Sequence, residues 1–203
     1  GTKRFAVMHN DFIIVGPPSD PAGIKGQKSA AEVLKRIAAA GAGFVSRGDD
    51  SGTHAKEQEL WKATGLPLKE DTQKLVSGGK ETEIKFVRPA GDWYMSIGQG
   101  MGKTLSLANE KLAYTLADRG TYVNMRYGVE KPVELEVLGE GDPILFNPYG
   151  VIPVNPKKYP HVKYDLALQM AQWLVSERGQ RAIAGFKLQG QQLFFPDAIP
   201  GAK

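Results

Sequence analysis

The sequence predicts an α/β fold. Short β-branched runs alternate with amphipathic segments of helical period, and turns rich in glycine and proline separate them. Hydrophobic residues make up 41% of the 203 and charged residues 24%, the balance of a globular chain rather than a disordered one. No apolar stretch reaches the ~18 residues of a membrane span, and no basic, apolar leader opens the chain, so any signal peptide is expected to be removed or never present. Cysteine is absent, which excludes disulfides, thiolate metal sites and cysteine nucleophiles. The net charge of +4 comes from 26 basic and 22 acidic residues, a mixed surface. Lys/Arg runs longer than two are missing and aromatics do not interleave with basic clusters, so nucleic acid is not signalled.

The elements follow in order. Phe5 to Val15 is an apolar run around His9-Asn10-Asp11, and its end, Phe12-Ile13-Ile14-Val15, predicts a buried strand. Gly16-Pro17-Pro18 stops it, because proline cannot continue a ladder. Ser29 is a candidate cap for a helix to about Ala39, with Ala30, Val33, Leu34 and Ile37 on one face and Gly41 and Gly43 ending it. Phe44-Val45-Ser46 predicts a short strand. Arg47 to Asp50 is a turn, and Ser51 or Asp50 caps a helix to about Thr64, closed by Gly65 and Pro67. The polar segment 66–91, with Gly78-Gly79, predicts a short helix and a strand near Ile84–Val87. Gly98-Gln99-Gly100-Met101-Gly102 is a glycine-rich turn. A helix is expected from about Thr104 to Arg119, with Leu105, Ala108, Leu112 and Leu116 on one face and Gly120 ending it. Strands are expected at 121–126, 133–138 and 149–154. Asp165 to Ser176 predicts a helix with Leu166, Met170, Trp173 and Leu174 inward, and a second helix runs from about Glu177 to Phe186.

The most informative motif is Ser46-Arg47-Gly48-Asp49-Asp50-Ser51-Gly52-Thr53. The first turn of a helix has free N–H groups and the positive end of the helix dipole. Ser51, Gly52 and Thr53 put hydroxyls and open backbone there, and Arg47 adds a planar donor array suited to oxyanions. The alternative is an ordinary capped helix with Arg47 paired to Asp49 or Asp50. These acids could equally orient Arg47 and the loop amides and keep other anions out. Gly102-Lys103-Thr104 looks like the end of a Walker A loop, but the glycine that motif requires five positions earlier is Ile97. What remains is a second glycine-rich turn, Gly102 to Thr104, which could face the same anion.

Other chemistries find less support. Asp50-Ser51-Gly52 resembles a serine-protease nucleophile neighbourhood, yet no histidine lies in a partner motif, and Gly48 is three residues before Ser51 rather than two. Three isolated histidines give no metal-ligand spacing. An enzyme would need a titratable base near the loop, and only His54 is close.

Five stretches resemble tungstate-binding proteins of the TupA type: His9 to Pro17, Ser46 to Thr53, Gly98-Gln99-Gly100-Met101-Gly102 through Asp118-Arg119-Gly120-Thr121, Phe146-Asn147-Pro148-Tyr149-Gly150, and Gln192-Leu193-Phe194-Phe195-Pro196. The resemblance implies the substrate-binding component of an ABC importer, with a bilobal periplasmic-binding-protein fold of type II and no catalysis. It implies a crossover and lobe 1 remnant at 1–15, an anion-binding lobe 2 at 16–147, and a return crossover with the C-terminal helices of lobe 1 at 148–203. It further implies a tungstate or molybdate ligand, no cofactor or metal, a permease partner, and a periplasmic or extracytoplasmic location, lipid-anchored in a Gram-positive cell. Family members begin with a further segment that builds much of the first lobe and carries a Thr/Ser-rich anion loop, and nothing here matches it. The C-terminal helices are therefore expected to expose an apolar surface, or to cover it by dimerisation. The expected ligand-binding residues are Ser46, Arg47, Ser51, Gly52, Thr53, Gly102 and Thr104. A fully ionised anion held by Arg47 is expected to bind almost independently of pH from about 6 to 9. The other reading open to this module is the effector domain of a transcriptional regulator, although no helix-turn-helix is present.

Overall fold

A computed structural model describes residues 1–77 and 80–198, so Gly78-Gly79 lie outside the described residues. The chain forms two compact units, one of Asp11–Leu145 and the other of Gly1–Asn10 with Phe146–Lys203.

Strand β1 (Phe5–Gly16) runs through the boundary, and its second half, Phe12 to Gly16, is buried throughout. Helix α1 (Ala30–Ala40) is capped by Ser29 and ends at Gly41 in the left-handed conformation, with Ala30, Val33, Leu34 and Ile37 buried as their spacing requires. Strand β2 (Phe44–Ser46) leads into α2 (Gly52–Ala63). A hairpin follows, β3 (Leu68–Ser77) with β4 (Lys80–Pro89), paired in unbroken register from Leu68–Pro89 to Ser77–Lys80. The short helix expected in 66–91 is therefore wrong. Ile84 and Phe86 alternate inward along β4, and most other positions of the hairpin are polar.

Strand β5 (Tyr94–Ser96) precedes α3 (Met101–Lys111). The expected helix through Arg119 is also overturned: Leu112 turns left-handed at φ 50° and ends α3, and it is exposed. Leu116 belongs to β6 (Thr115–Asp118), and Gly120 lies inside α4 (Arg119–Tyr127), where a strand at 121–126 was expected. The helical spacing of Leu105 and Ala108 continues by chance across the turn, because Leu112 and Leu116 fall at positions that fit the same helix face. Strand β7 (Glu136–Gly139) and a 3-10 turn at Pro143–Leu145 complete this unit.

Its sheet runs β5–β2–β6–β1–β7. Strands β2 and β5 are parallel. Strand β2 adjoins β6 through the parallel Phe44–Tyr114 bridge and the Thr115 hydroxyl, which donates to Val45 O at 2.7 Å. Strand β1 is antiparallel to β6 and β7. Because β2, β5 and β6 are parallel, α2, α3 and α4 all begin at the same edge of the sheet. Phe44, Leu60, Trp61, Tyr94, Tyr114 and Leu116 form the heart of the core.

In the other unit β8 (Phe146–Val151) and β11 (Phe195–Pro196) pair with β1. Helices α5 (Tyr164–Leu174) and α6 (Glu177–Gly185) pack on each other, and β9 (Lys187–Leu188) pairs with β10 (Gln191–Gln192). The buried Gln180 amide donates to Val7 O and Leu174 O, both at 2.8 Å, and so ties α6 to β1. Leu166, Met170 and Trp173 do not face inward as their spacing suggested. They are exposed, as is Phe186, and Ala171 is the buried residue of α5. The apolar surface expected on these helices is present.

Candidate functional site

The loop between β2 and α2 lies beside the loop between β5 and α3. Backbone bonds join them: Ile97 N–H donates to Ser46 O at 3.2 Å and Gln99 N–H to Arg47 O at 3.0 Å. Gly48, at φ 59°, makes the close approach possible, since a Cβ there would overlap Ser96 Oγ and crowd Gln73 Oε1. Gly48→Ala is expected to cost roughly 1–3 kcal/mol in urea unfolding, because it combines left-handed strain with that overlap. A loss below about 0.5 kcal/mol would show that the loop can relax.

Arg47 does not stand free. Its Nε and Nη2 donate to Asp49 Oδ2 at 3.1 and 2.6 Å, and its Nη1 reaches Thr53 Oγ1 at 3.5 Å. The pairing named above as the alternative is thus present. It uses one edge of the guanidinium and leaves Nη1 directed at the first turn of α2. Burial works against the Asp49 carboxylate, but hydrogen bonds from Ser51 and Arg47 and the guanidinium charge outweigh it and hold Asp49 below the usual carboxylate range.

Ser51 caps α2, its Oγ accepting from His54 N at 3.3 Å. The amides of Gly52 and Thr53, at the first two helical positions, have no intrahelical carbonyl to bond. His54 Nδ1 accepts from Asp50 N at 3.1 Å, which places the neutral ring's proton on Nε2. Burial lowers its pKa against the pull of Asp49 and Asp50, so His54 favours the neutral form.

The other expected residues fare differently. Ser46 is fully buried and its hydroxyl makes no hydrogen bond, so it does not face the loop surface. Thr104 is also fully buried; its hydroxyl donates back to Gly100 O at 3.1 Å and is not an anion donor. A threonine in the first turn reads the same in sequence whether it points outward or back-bonds its own helix. Gly102 sits in the first turn of α3, whose cap, Gly100, supplies no side-chain bond, so its amide is open. The third helix end is already filled, because Asp118 accepts from Thr121 N at 2.8 Å. Beside it Arg119 is locked by Asp11, with Nε–Oδ1 at 2.7 Å, and by Glu140.

Sequence reasoning missed Gln73, Glu83 and Glu57. Gln73 of the hairpin accepts from Ser96 Oγ at 2.5 Å and braces both loops. Asp49 and Asp50, with Thr82, Glu83 and Lys85 of the hairpin, line a depression of about 410 Å³ on the hairpin side of the loop. Glu57, 2% exposed, lies under the first turn of α2. Its signal was the buried-face spacing Thr53, Glu57, Leu60, Trp61, in which two polar residues share a stripe with the core. Among the described residues no cluster of three or more His, Asp or Glu could hold a metal ion, and no helix is long and apolar enough to cross a membrane.

A family model described as a PBP superfamily domain matches residues 1–178. A tungstate-binding protein TupA from Peptoclostridium acidaminophilum is 40% identical over 202 residues, covering 98% of this chain and 62% of that one. The solved structure of tungstate-binding protein TupA from Desulfovibrio alaskensis G20 is 45% identical, with a TM-score of 0.79, over 98% of this chain and 72% of that one. A structure described as the tungstate ABC transporter from Geobacter sulfurreducens is 46% identical, with a TM-score of 0.72, over 92% and 68%. The chain spans between 52% and 66% of the length of the curated relatives it matches.

Proposed function

The chain belongs to the PBP superfamily and, within it, to the TupA family, and from that premise we propose that it binds a tetrahedral oxyanion, tungstate or molybdate, as the substrate-binding component of an ABC importer. The observation that carries the reading is the orientation of Arg47. Asp49 grips one edge of the guanidinium, and Nη1 is presented beside Thr53 at an amide-rich helix start. A side chain already held in place loses little freedom when the ligand arrives.

Arg47 gives charge-assisted hydrogen bonds, each about twice as strong as a neutral one. The hydroxyls of Ser51 and Thr53 and the amides of Gly52 and Thr53 supply the remaining donors, and Gly102 offers a second helix end. Such a site presents donors to a ligand that carries no proton, which disfavours protonated phosphate, and cavity size separates the larger ions from sulfate. The process is binding without bond making. The two units correspond to the two lobes of the family's fold, the permease is the downstream partner, and the location is outside the cytoplasm.

Isothermal titration with tungstate, molybdate and sulfate tests the proposal. Saturable binding of the first two, with sulfate at least about tenfold weaker, is the expected result, a gap of ~1.4 kcal/mol. Absence of binding by all three would overturn it.

A further inference from the structure

We propose, resting on the oxyanion reading above, that Glu57 is a positioning residue beneath the anion site and that its carboxyl group takes up a proton as the anion binds. Glu57 follows Thr53 by four residues on α2, so it lies one turn, about 6 Å along the axis, below the anion-facing end. Its Oε1 accepts from Tyr94 OH at 2.6 Å and from Trp61 Nε1 at 3.1 Å. Tyr94 belongs to β5, which leads to α3. The Ser46 hydroxyl, at the end of β2, faces the carboxyl without closing a hydrogen bond of ordinary geometry. One carboxyl group therefore braces α2, β2 and β5 just where the two loops begin. In its protonated form it gains a donor, which the unpartnered Ser46 Oγ can accept.

The surroundings favour the neutral form. Burial raises Glu57 to about 7 against the neighbouring donors of Tyr94, Ser46 and Trp61, and the charge of Asp49 adds to the rise. Arg47 is committed to Asp49. His54, one turn nearer the helix start, favours the neutral form. Arg88 stands 5.9 Å from the Tyr94 ring and is paired with Asp71. A bound dianion adds two further negative charges above a buried carboxylate, so binding favours the protonated state. By linkage, anion affinity is level below about pH 7 and falls by up to about tenfold per pH unit above it, until the bound state also ionises. This replaces the pH-independent binding expected from Arg47 alone.

The test is tungstate titration calorimetry on this protein between about pH 6 and 9, in two buffers of different ionisation heat, which counts protons taken up per anion bound. The expected result is uptake approaching one proton near pH 8 and a roughly fivefold loss of affinity from pH 7 to 8. Glu57→Gln is expected to abolish both, and Glu57→Asp to restore proton uptake. Should Glu57→Gln fail to fold, the infrared difference between tungstate-bound and free wild-type protein near pH 8 serves instead: a gained protonated-carboxyl band supports the proposal and its absence overturns it. Wild-type binding without proton uptake, or a Glu57→Gln variant that keeps the wild-type pH profile, overturns it as well. If tungstate fails to bind at every pH, the oxyanion reading fails and this proposal with it.

Discussion

Arg47→Ala is expected to weaken tungstate binding by at least about 100-fold, since two charge-assisted hydrogen bonds at roughly 1.5–3 kcal/mol each are lost. The fold should tolerate the change. Arg47 lies in a loop, and Asp49 keeps the Ser51 amide, at 3.3 Å, as a partner. Arg47→Lys separates charge from geometry. It keeps the cation but loses the planar fork that pairs with Asp49 through Nε and Nη2, so an intermediate loss of about tenfold is expected. Calorimetry of the three proteins under one condition checks the series. Equal affinity for wild type and Arg47→Ala would place the anion elsewhere.

Trp61→Ala is expected to destabilise the protein by about 3–5 kcal/mol in urea unfolding, as for other large aromatic truncations. Trp61 is fully buried, packs edge-on to Phe44 with centroids 5.4 Å apart, and lies 6.0 Å from both Trp93 and Tyr94. Its indole N–H also satisfies Glu57, so truncation opens a cavity and removes a donor from a buried carboxyl group. Trp61→Phe isolates the second contribution, with an expected loss of about 1–3 kcal/mol. A cost below about 1.5 kcal/mol for Trp61→Ala would mean that the aromatic cluster collapses to fill the space.

Local signals carried the first part of the chain well. Ser29 and Gly41 bracket α1, β-branched Ile13 to Val15 forms the buried end of β1, and Ser51 caps α2. Each of these depends on chemistry within a few residues. Of the hairpin only the Ile84–Val87 stretch of β4 was readable, for a physical reason: Lys69, Glu70, Asp71, Lys74 and Glu83 are poor strand formers, and the pairing of β3 with β4 overrides that preference. The α3–β6 boundary failed because Leu112 adopts a left-handed turn that no glycine announces. Helix α5 failed differently, since amphipathic spacing identifies an apolar face but not whether anything covers it.

The candidate site divides along the same line. The placing of Arg47, Ser51, Gly52 and Thr53 at the start of α2 was legible because a helix start has fixed geometry. The inward turn of the Ser46 and Thr104 side chains was not legible, because side-chain direction in β2 and α3 is set by neighbours distant in sequence. Glu57 was passed over because a lone carboxylate mid-helix reads as solvated until Tyr94 and Trp61 are found beside it.

Crystals soaked in tungstate offer the most direct examination of where the ion sits, because tungsten scatters anomalously and marks its own position. The expected difference map has one dominant peak within hydrogen-bonding reach, about 4 Å from tungsten to donor, of Arg47 Nη1, Thr53 Oγ1 and the amides of Gly52 and Thr53. A dominant peak away from the start of α2, out of reach of Arg47 Nη1 and the Gly52 and Thr53 amides, would contradict the account.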